Sequence, residues 1–162
     1  MKTVELKCIL ELEPEDWKKV FTIVKNCGIG ELYNDEFTRN GKDLQNEWTD
    51  NEEPETDNEE PEADDYSCWF LQYFILFYKN IPIGIVKLDV DDNEAEVLIA
   101  VSNRYKGRGW GKVLLLMVEN ELKQLYTHIE CVWADIYDNP ASVKLFKSCG
   151  YEYNGVDHRK FL

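Results

Sequence analysis

The chain has 162 residues, 44% of them hydrophobic, and a formal net charge of −14. That is one ordinary domain, 1–162, with enough apolar material for a core of its own. The acidic balance disfavours nucleic acid, which demands a basic face, and no apolar run approaches the ~20 residues of a membrane span. The five cysteines (Cys8, Cys27, Cys68, Cys131, Cys149) are scattered without a Cys-x-x-Cys pair. The segment Met1–Lys7 alternates polar and apolar residues and lacks a signal-peptide core, so reduced thiols in a cytoplasmic protein are expected. His128 and His158 have no second ligand at a metal-site spacing, and no metal is expected.

The charge is mostly local. Ten carboxylates lie between Asp50 and Asp65 with no base among them, and the rest of the chain carries only −4. This stretch repeats DNEEPET as DNEEPEA and reads as a solvated, flexible insertion at about 49–65, with an electrostatic lure for a cation as the functional alternative.

In chain order, residues 3–12 alternate as a strand. Pro14 opens a helix with Trp17, Val20, Phe21 and Val24 on one stripe, and Gly28 closes it. Residues 31–48 read as a second, less regular helix. After the insertion, Trp69–Tyr78 and Ile81–Val90 form a hairpin about Lys79-Asn80, irregular near Pro82 and Gly84. Ala95–Val101 is the next strand. A helix follows from about Gly109 to Tyr126, with Leu114, Met117, Val118, Leu122 and Leu125 as its apolar face. Then come a strand over 129–137, a short helix from Pro140, and over 151–162 a terminal strand or a hairpin turning near Asn154-Gly155. The fold class is α/β: a mixed, mainly antiparallel central sheet flanked by helices, with at least one parallel crossover.

The densest chemical signal lies between the Ala95–Val101 strand and its helix, in Lys106-Gly107-Arg108-Gly109-Trp110-Gly111-Lys112. Glycines allow the backbone to approach a ligand closely, and a helix start offers unpaired N–H groups at the positive end of its dipole. Lys106, Arg108 and Lys112 add three cations. Together they point to a di- or polyphosphate. Two rival phosphate loops fail. A nucleotide-triphosphatase loop needs glycine at 106 and a hydroxyl at 113, which are Lys106 and Val113. A dinucleotide fingerprint begun at Gly107 or Gly109 needs glycine at Lys112 or Leu114.

The stretch Val101–Leu115 resembles the acetyl-CoA-binding segment of the GCN5-related N-acetyltransferase (GNAT) superfamily, [QR]-x-x-G-x-[GA] between a strand and a long helix. Lys106 takes the first place, with Gly109 and Gly111 as the small residues; Arg104, Gly107 and Gly109 satisfy the pattern in a shifted register. Asn139–Tyr151 resembles the family's second signature, N-x-x-[AS]-x-x-[LF]-[YF]-x-x-x-G-[FY], at the expected distance.

The resemblance implies a GNAT-type fold and an acyltransferase that uses acetyl-CoA as cosubstrate. The acceptor would be a small-molecule or peptide amine, the acidic balance favouring a cationic one, and the protein a monomer or homodimer. It implies that main chain at Ile99 and Val101 bonds the pantetheine arm. The amides of Gly107, Arg108, Gly109, Trp110, Gly111 and Lys112 would hold the pyrophosphate, with Asn139 on the arm or an ordered water. Asn139 before Pro140 is equally a sound helix N-cap. The family's usual proton donor is a tyrosine where this chain has Phe146, so Tyr151, Tyr137 or water would substitute, or the thiolate leaves unassisted. The base would be a carboxylate near the start of the 95–101 strand, Glu96 ahead of Glu94. An acyl-CoA-binding module without turnover is the alternative that Phe146 supports.

Overall fold

A computed structural model describes residues 3–8, 12, 16 and 70–162. The expected helix after Pro14 (apart from Asp16, which is helical), the segment 31–48 and the acidic insertion lie outside the described residues.

Strands β1 (Val4–Cys8), β2 (Phe70–Tyr78), β3 (Ile81–Asp91) and β4 (Glu94–Val101) form an antiparallel meander. The β2–β3 turn is Lys79-Asn80, both at positive φ (52° and 59°), as a two-residue hairpin loop matched to strand twist requires. The expected irregularity is present: the register steps from Leu76↔Gly84 to Phe77↔Pro82 and leaves Ile83 as an extra residue. Helix α1 (Trp110–Leu125) crosses to β5 (Cys131–Ala134), which pairs parallel to β4. Helix α2 (Pro140–Ser148) leads to the closing hairpin, β6 (Glu152–Tyr153) and β7 (His158–Phe161), with Gly155 at φ 102° in its turn. The seven strands are ordered β1-β2-β3-β4-β5-β7-β6.

The core lies between one face of the sheet and the helices. Val86, Leu88 and Val90 of β3, Ala95 and Val97 of β4, and Val132 and Ala134 of β5 meet Leu114, Leu115, Val118 and Leu122 of α1. Two expectations need correction. The buried stripe of α1 contains Leu115 in place of Leu125, which is 65% exposed in the last position of the helix. The fifth strand is shorter than 129–137, because Ile129 N–H bonds the Tyr126 carbonyl and the pairing to β7 ends at Ala134↔His158. Cys131 and Cys149 are free and buried, and burial pushes both thiols up; they fill core, as expected for reduced cysteines.

Alternation then decides the other face. Asp89 pairs with Glu96, and Asp91 with Glu94, on an uninterrupted β3–β4 register. The pairs that alternate with them, Leu88↔Val97 and Val90↔Ala95, are core residues, so these four carboxylates stand on the face away from α1.

Candidate active site

The β4–β5 ladder has three pairs: Glu94↔Cys131, Ala95↔Val132 and Glu96↔Trp133. Beyond Glu96 the two strands part. The main-chain direction of β4 past this point follows from one bond, Ser102 N–H to the Ile83 carbonyl at 2.9 Å. Ser102 lies opposite Ile83 by extension of the register, so even-numbered residues of β4 bond β3 and odd-numbered ones point the other way. The N–H and C=O groups of Ile99 and Val101 therefore face the side where β5 has ended, and among the described residues no strand pairs with them there.

This open edge runs into the glycine turn. Gly107 (φ 71°) and Gly109 (φ 83°) are left-handed, and a Cβ on either would meet nothing within 4 Å. Conformation, not crowding, demands glycine at both positions. Gly109 is the N-cap of α1 and offers no side-chain cap, and the first turn has no acidic residue. The first intrahelical bond is Val113 N–H to the Gly109 carbonyl, 3.2 Å, so the amides of Trp110, Gly111 and Lys112 have no helical partner. Lys106 and Arg108 are exposed beside them. Lys112 turns elsewhere: its Nζ donates to the Ser148 carbonyl at 3.0 Å and caps the negative end of α2. Gly111 has a packing reason, since a Cβ there would come within 3.1 Å of Leu145 Cδ2 on α2. Trp110 is set by Tyr78 at the end of β2, ring centroids 4.8 Å apart.

Asn139 is the N-cap of α2, its Oδ1 accepting from Ser142 N–H at 3.1 Å, with Pro140 following. The capping reading holds, and it leaves the amide nitrogen for other use. A cavity of about 540 Å³ opens beside it, lined by Ile136, Val143, Lys144 and Lys147 among others. The two lysines are functional candidates that sequence reasoning missed, because they sit at unspecified positions of the second signature.

At the closed end of the β4–β5 joint a cavity of about 400 Å³ is walled by Asp89, Asp91, Asp92, Glu94, Glu96 and Trp133. Burial, then the nearby Asp89 carboxylate, push the Glu96 carboxyl above the usual range; Lys87 opposes the shift and Asp135 adds to it. Glu94 differs, for Arg159 Nη1 donates to its Oε1 at 2.7 Å. The two candidate bases are thus unequal: one carboxylate is held in an ion pair and the other carries none among the described residues.

Tyr151 lies in the core, 2% exposed, edge-on to Phe146 with centroids 4.9 Å apart. Its hydroxyl makes no well-formed hydrogen bond among the described residues, and burial followed by the Glu119 carboxylate pushes its pKa far up. Its neighbours (Phe146, Glu119, Lys160) are distinct from those of Glu96, so the structure does not bring these two candidates into one cluster. Tyr137 is 93% exposed. Among the described residues no group of three His, Cys, Asp or Glu could hold a metal, and no helix is long and apolar enough to cross a membrane.

A mostly antiparallel sheet, parted at one parallel joint above a glycine-capped helix, defines the acetyltransferase architecture that the two sequence signatures imply. The model of the acetyltransferase (GNAT) family matches residues 29–151, and the chain belongs to that family of N-acetyltransferases. Solved structures share the fold at low identity. PaiA N-acetyltransferase of Thermoplasma acidophilum, in complex with coenzyme A, is 17% identical, with 99% of each chain covered and a TM-score of 0.64. Spermidine N-acetyltransferase of Vibrio cholerae, in complex with CoA and spermine, is 16% identical over 98% of this chain and 92% of that one, TM-score 0.66. N-acetyltransferase PseH of Campylobacter jejuni, in complex with acetyl coenzyme A, is 17% identical over 99% and 98%, TM-score 0.57. No curated protein matches the sequence significantly.

Proposed function

We propose that this chain transfers the acetyl group of acetyl-CoA to a primary amine of a cationic acceptor. The observation that carries the reading is the end of β4–β5 pairing at Glu96↔Trp133. It leaves the Ile99 and Val101 main chain open on a path from the acidic cavity to the glycine turn. Relatives of the same fold hold CoA or acetyl-CoA, one of them together with spermine.

The residues present fit the cosubstrate. Amides at Gly107–Lys112, with Lys106 and Arg108, suit a pyrophosphate, and the open edge at Ile99 and Val101 suits an amide-bearing arm in strand-like pairing. Asn139 lines the adjoining cavity, and its cap uses Oδ1, so its Nδ2 is the atom we assign to the arm. Acetyl-CoA supplies an activated thioester; the chain supplies position and proton transfer. Glu96 takes the amine proton. Desolvation by burial makes its carboxylate a better base than an exposed one. Asp89, Asp91 and Asp92 attract a cationic acceptor to the same cavity, and Trp133 offers it an aromatic wall. Tyr151 stays a phenol, but its hydroxyl lies in the core among Phe146, Glu119 and Lys160, so the departing thiolate leaves unassisted or takes its proton from water.

The test is thiol release from acetyl-CoA over a panel of primary amines, from monoamines to polyamines. Turnover that favours acceptors with additional positive charges is expected. Tight CoA binding with no thiol release across the panel would overturn the reading and select a binding module.

A further inference from the structure

We infer that Arg159 is a positioning residue of the acyl-transfer site: it clamps the three-pair β4–β5 joint shut and withdraws Glu94, leaving Glu96 as the carboxylate that receives the amine proton. The inference rests on the reading of Glu96 as base.

Arg159 belongs to β7, which is not a neighbour of β4; β5 lies between them. Two strand spacings, about 10 Å, separate the two strands, and only a long side chain spans them. Arg159 pairs with Trp133 of β5, and Trp133 pairs in turn with Glu96 of β4. The guanidinium passes over the Trp133 ring, 5.8 Å from its centroid, and reaches Glu94 Oε1 from Nη1 at 2.7 Å. Its Nε donates to Asp157 Oδ1 at 2.8 Å.

Both bonds use a rigid planar fork, so the group is fixed in orientation as well as place. Its anchor is fixed too. The Asp157 side chain is 7% exposed. The turn that carries it is braced by Asn154, whose Oδ1 accepts from Val156 N–H and Asp157 N–H, both at 2.9 Å.

A parallel ladder of three pairs is a weak joint by itself, yet the cleft begins at its last pair. Arg159 ties β7, β5 and β4 together at that point. The same contact settles the charge around the joint. Glu94 is paired, whereas Glu96 faces Asp89 and Lys87 from β3 and Asp135 from the chain beyond β5.

The experiment compares Arg159→Met and Arg159→Lys with the parent in steady-state kinetics and in amide exchange of the folded protein. For Arg159→Met, amide exchange at 95–97 and 131–134 accelerates and the amine KM rises by about tenfold, while the acetyl-CoA KM stays within about twofold. Lysine restores a charge but neither the fork nor the flat stack on Trp133, so Arg159→Lys recovers only a minor part. Glu94→Gln reproduces the loss from the other end of the ion pair, and combining it with Arg159→Met adds nothing further. If Arg159→Met does not fold, Glu94→Gln and Arg159→Lys carry the same comparison. Unchanged exchange at the joint, full rescue by lysine, or additive losses would overturn the clamp. Parent-level turnover by Glu96→Gln would instead sink the reading of Glu96, and the exchange rates would still decide the clamp separately.

Discussion

The two ends of β4 are built on opposite principles. At its C-terminal end the glycine turn makes a site from backbone: two left-handed glycines, a helix start without a side-chain cap, and main chain with no described strand on its β5 side. At its N-terminal end the joint makes a site from side chains: carboxylates of β3 and β4, Trp133 of β5, and Arg159 of β7. The first takes its backbone parts from one continuous stretch, 99–112. The second draws on positions from 89 to 159. A backbone site tolerates many side chains but few changes of conformation; a side-chain site is the reverse.

The largest expected effect tests the side-chain end. Glu96→Gln should lower kcat by about 10²–10⁴-fold, with CoA affinity by calorimetry unchanged. The same substitution should raise Tm slightly at neutral pH. A carboxyl whose folded pKa is raised weakens the fold above that pKa and is relieved as pH falls through it; glutamine gives the relief at every pH. A fall in CoA affinity equal to the fall in kcat would erase the division between the two ends.

Gly109→Ala tests the backbone end. Alanine at φ 83° is strained by about 1–2 kcal/mol, but its Cβ meets nothing. The protein should fold, with circular dichroism like the parent, and bind CoA about tenfold more weakly. The amine KM should hardly move.

The pH profile sharpens the contrast further. Glu96 acts deprotonated, and its carboxyl is raised, so the acid limb of kcat/KM should lie above the ordinary carboxylate range and activity should fall as pH drops through it. CoA affinity should stay flat over that window. A limb at or below the usual carboxylate range would contradict the role of burial.

Tyr151→Phe should have the smallest effect, at most about tenfold on kcat, since a thiolate leaves readily with little assistance. Removing a buried hydroxyl that has no well-formed hydrogen bond should leave Tm equal or higher. A larger kcat loss, with Tm unchanged, would make Tyr151 the principal proton donor.

What is legible in the sequence follows the same division. The glycine turn, the Asn139 cap and the Lys79-Asn80 hairpin are readable because each is a conformational demand met by adjacent residues. The terminal hairpin at Asn154-Gly155 is one of two open readings for the same reason. Leu125 reads as core because helical periodicity does not say where the sheet beneath a helix ends. The strand over 129–137 reads too long because its apolar alternation continues after its partners stop. Glu94 and Glu96 look alike in sequence, since the residue that distinguishes them, Arg159, is brought to Glu94 only by strand order.

The shortness of the β4–β5 ladder has a mechanical meaning. Four strands on one side and three on the other are joined by three residue pairs, so the sheet resembles two plates meeting at a short weld. A ligand arm bonded along Ile99 and Val101 would act as a rung between the plates, and part of its binding energy would appear as stiffness of the whole sheet. Melting of the two halves should then become more nearly concerted when CoA is bound, beyond the rise in Tm that mass action alone provides.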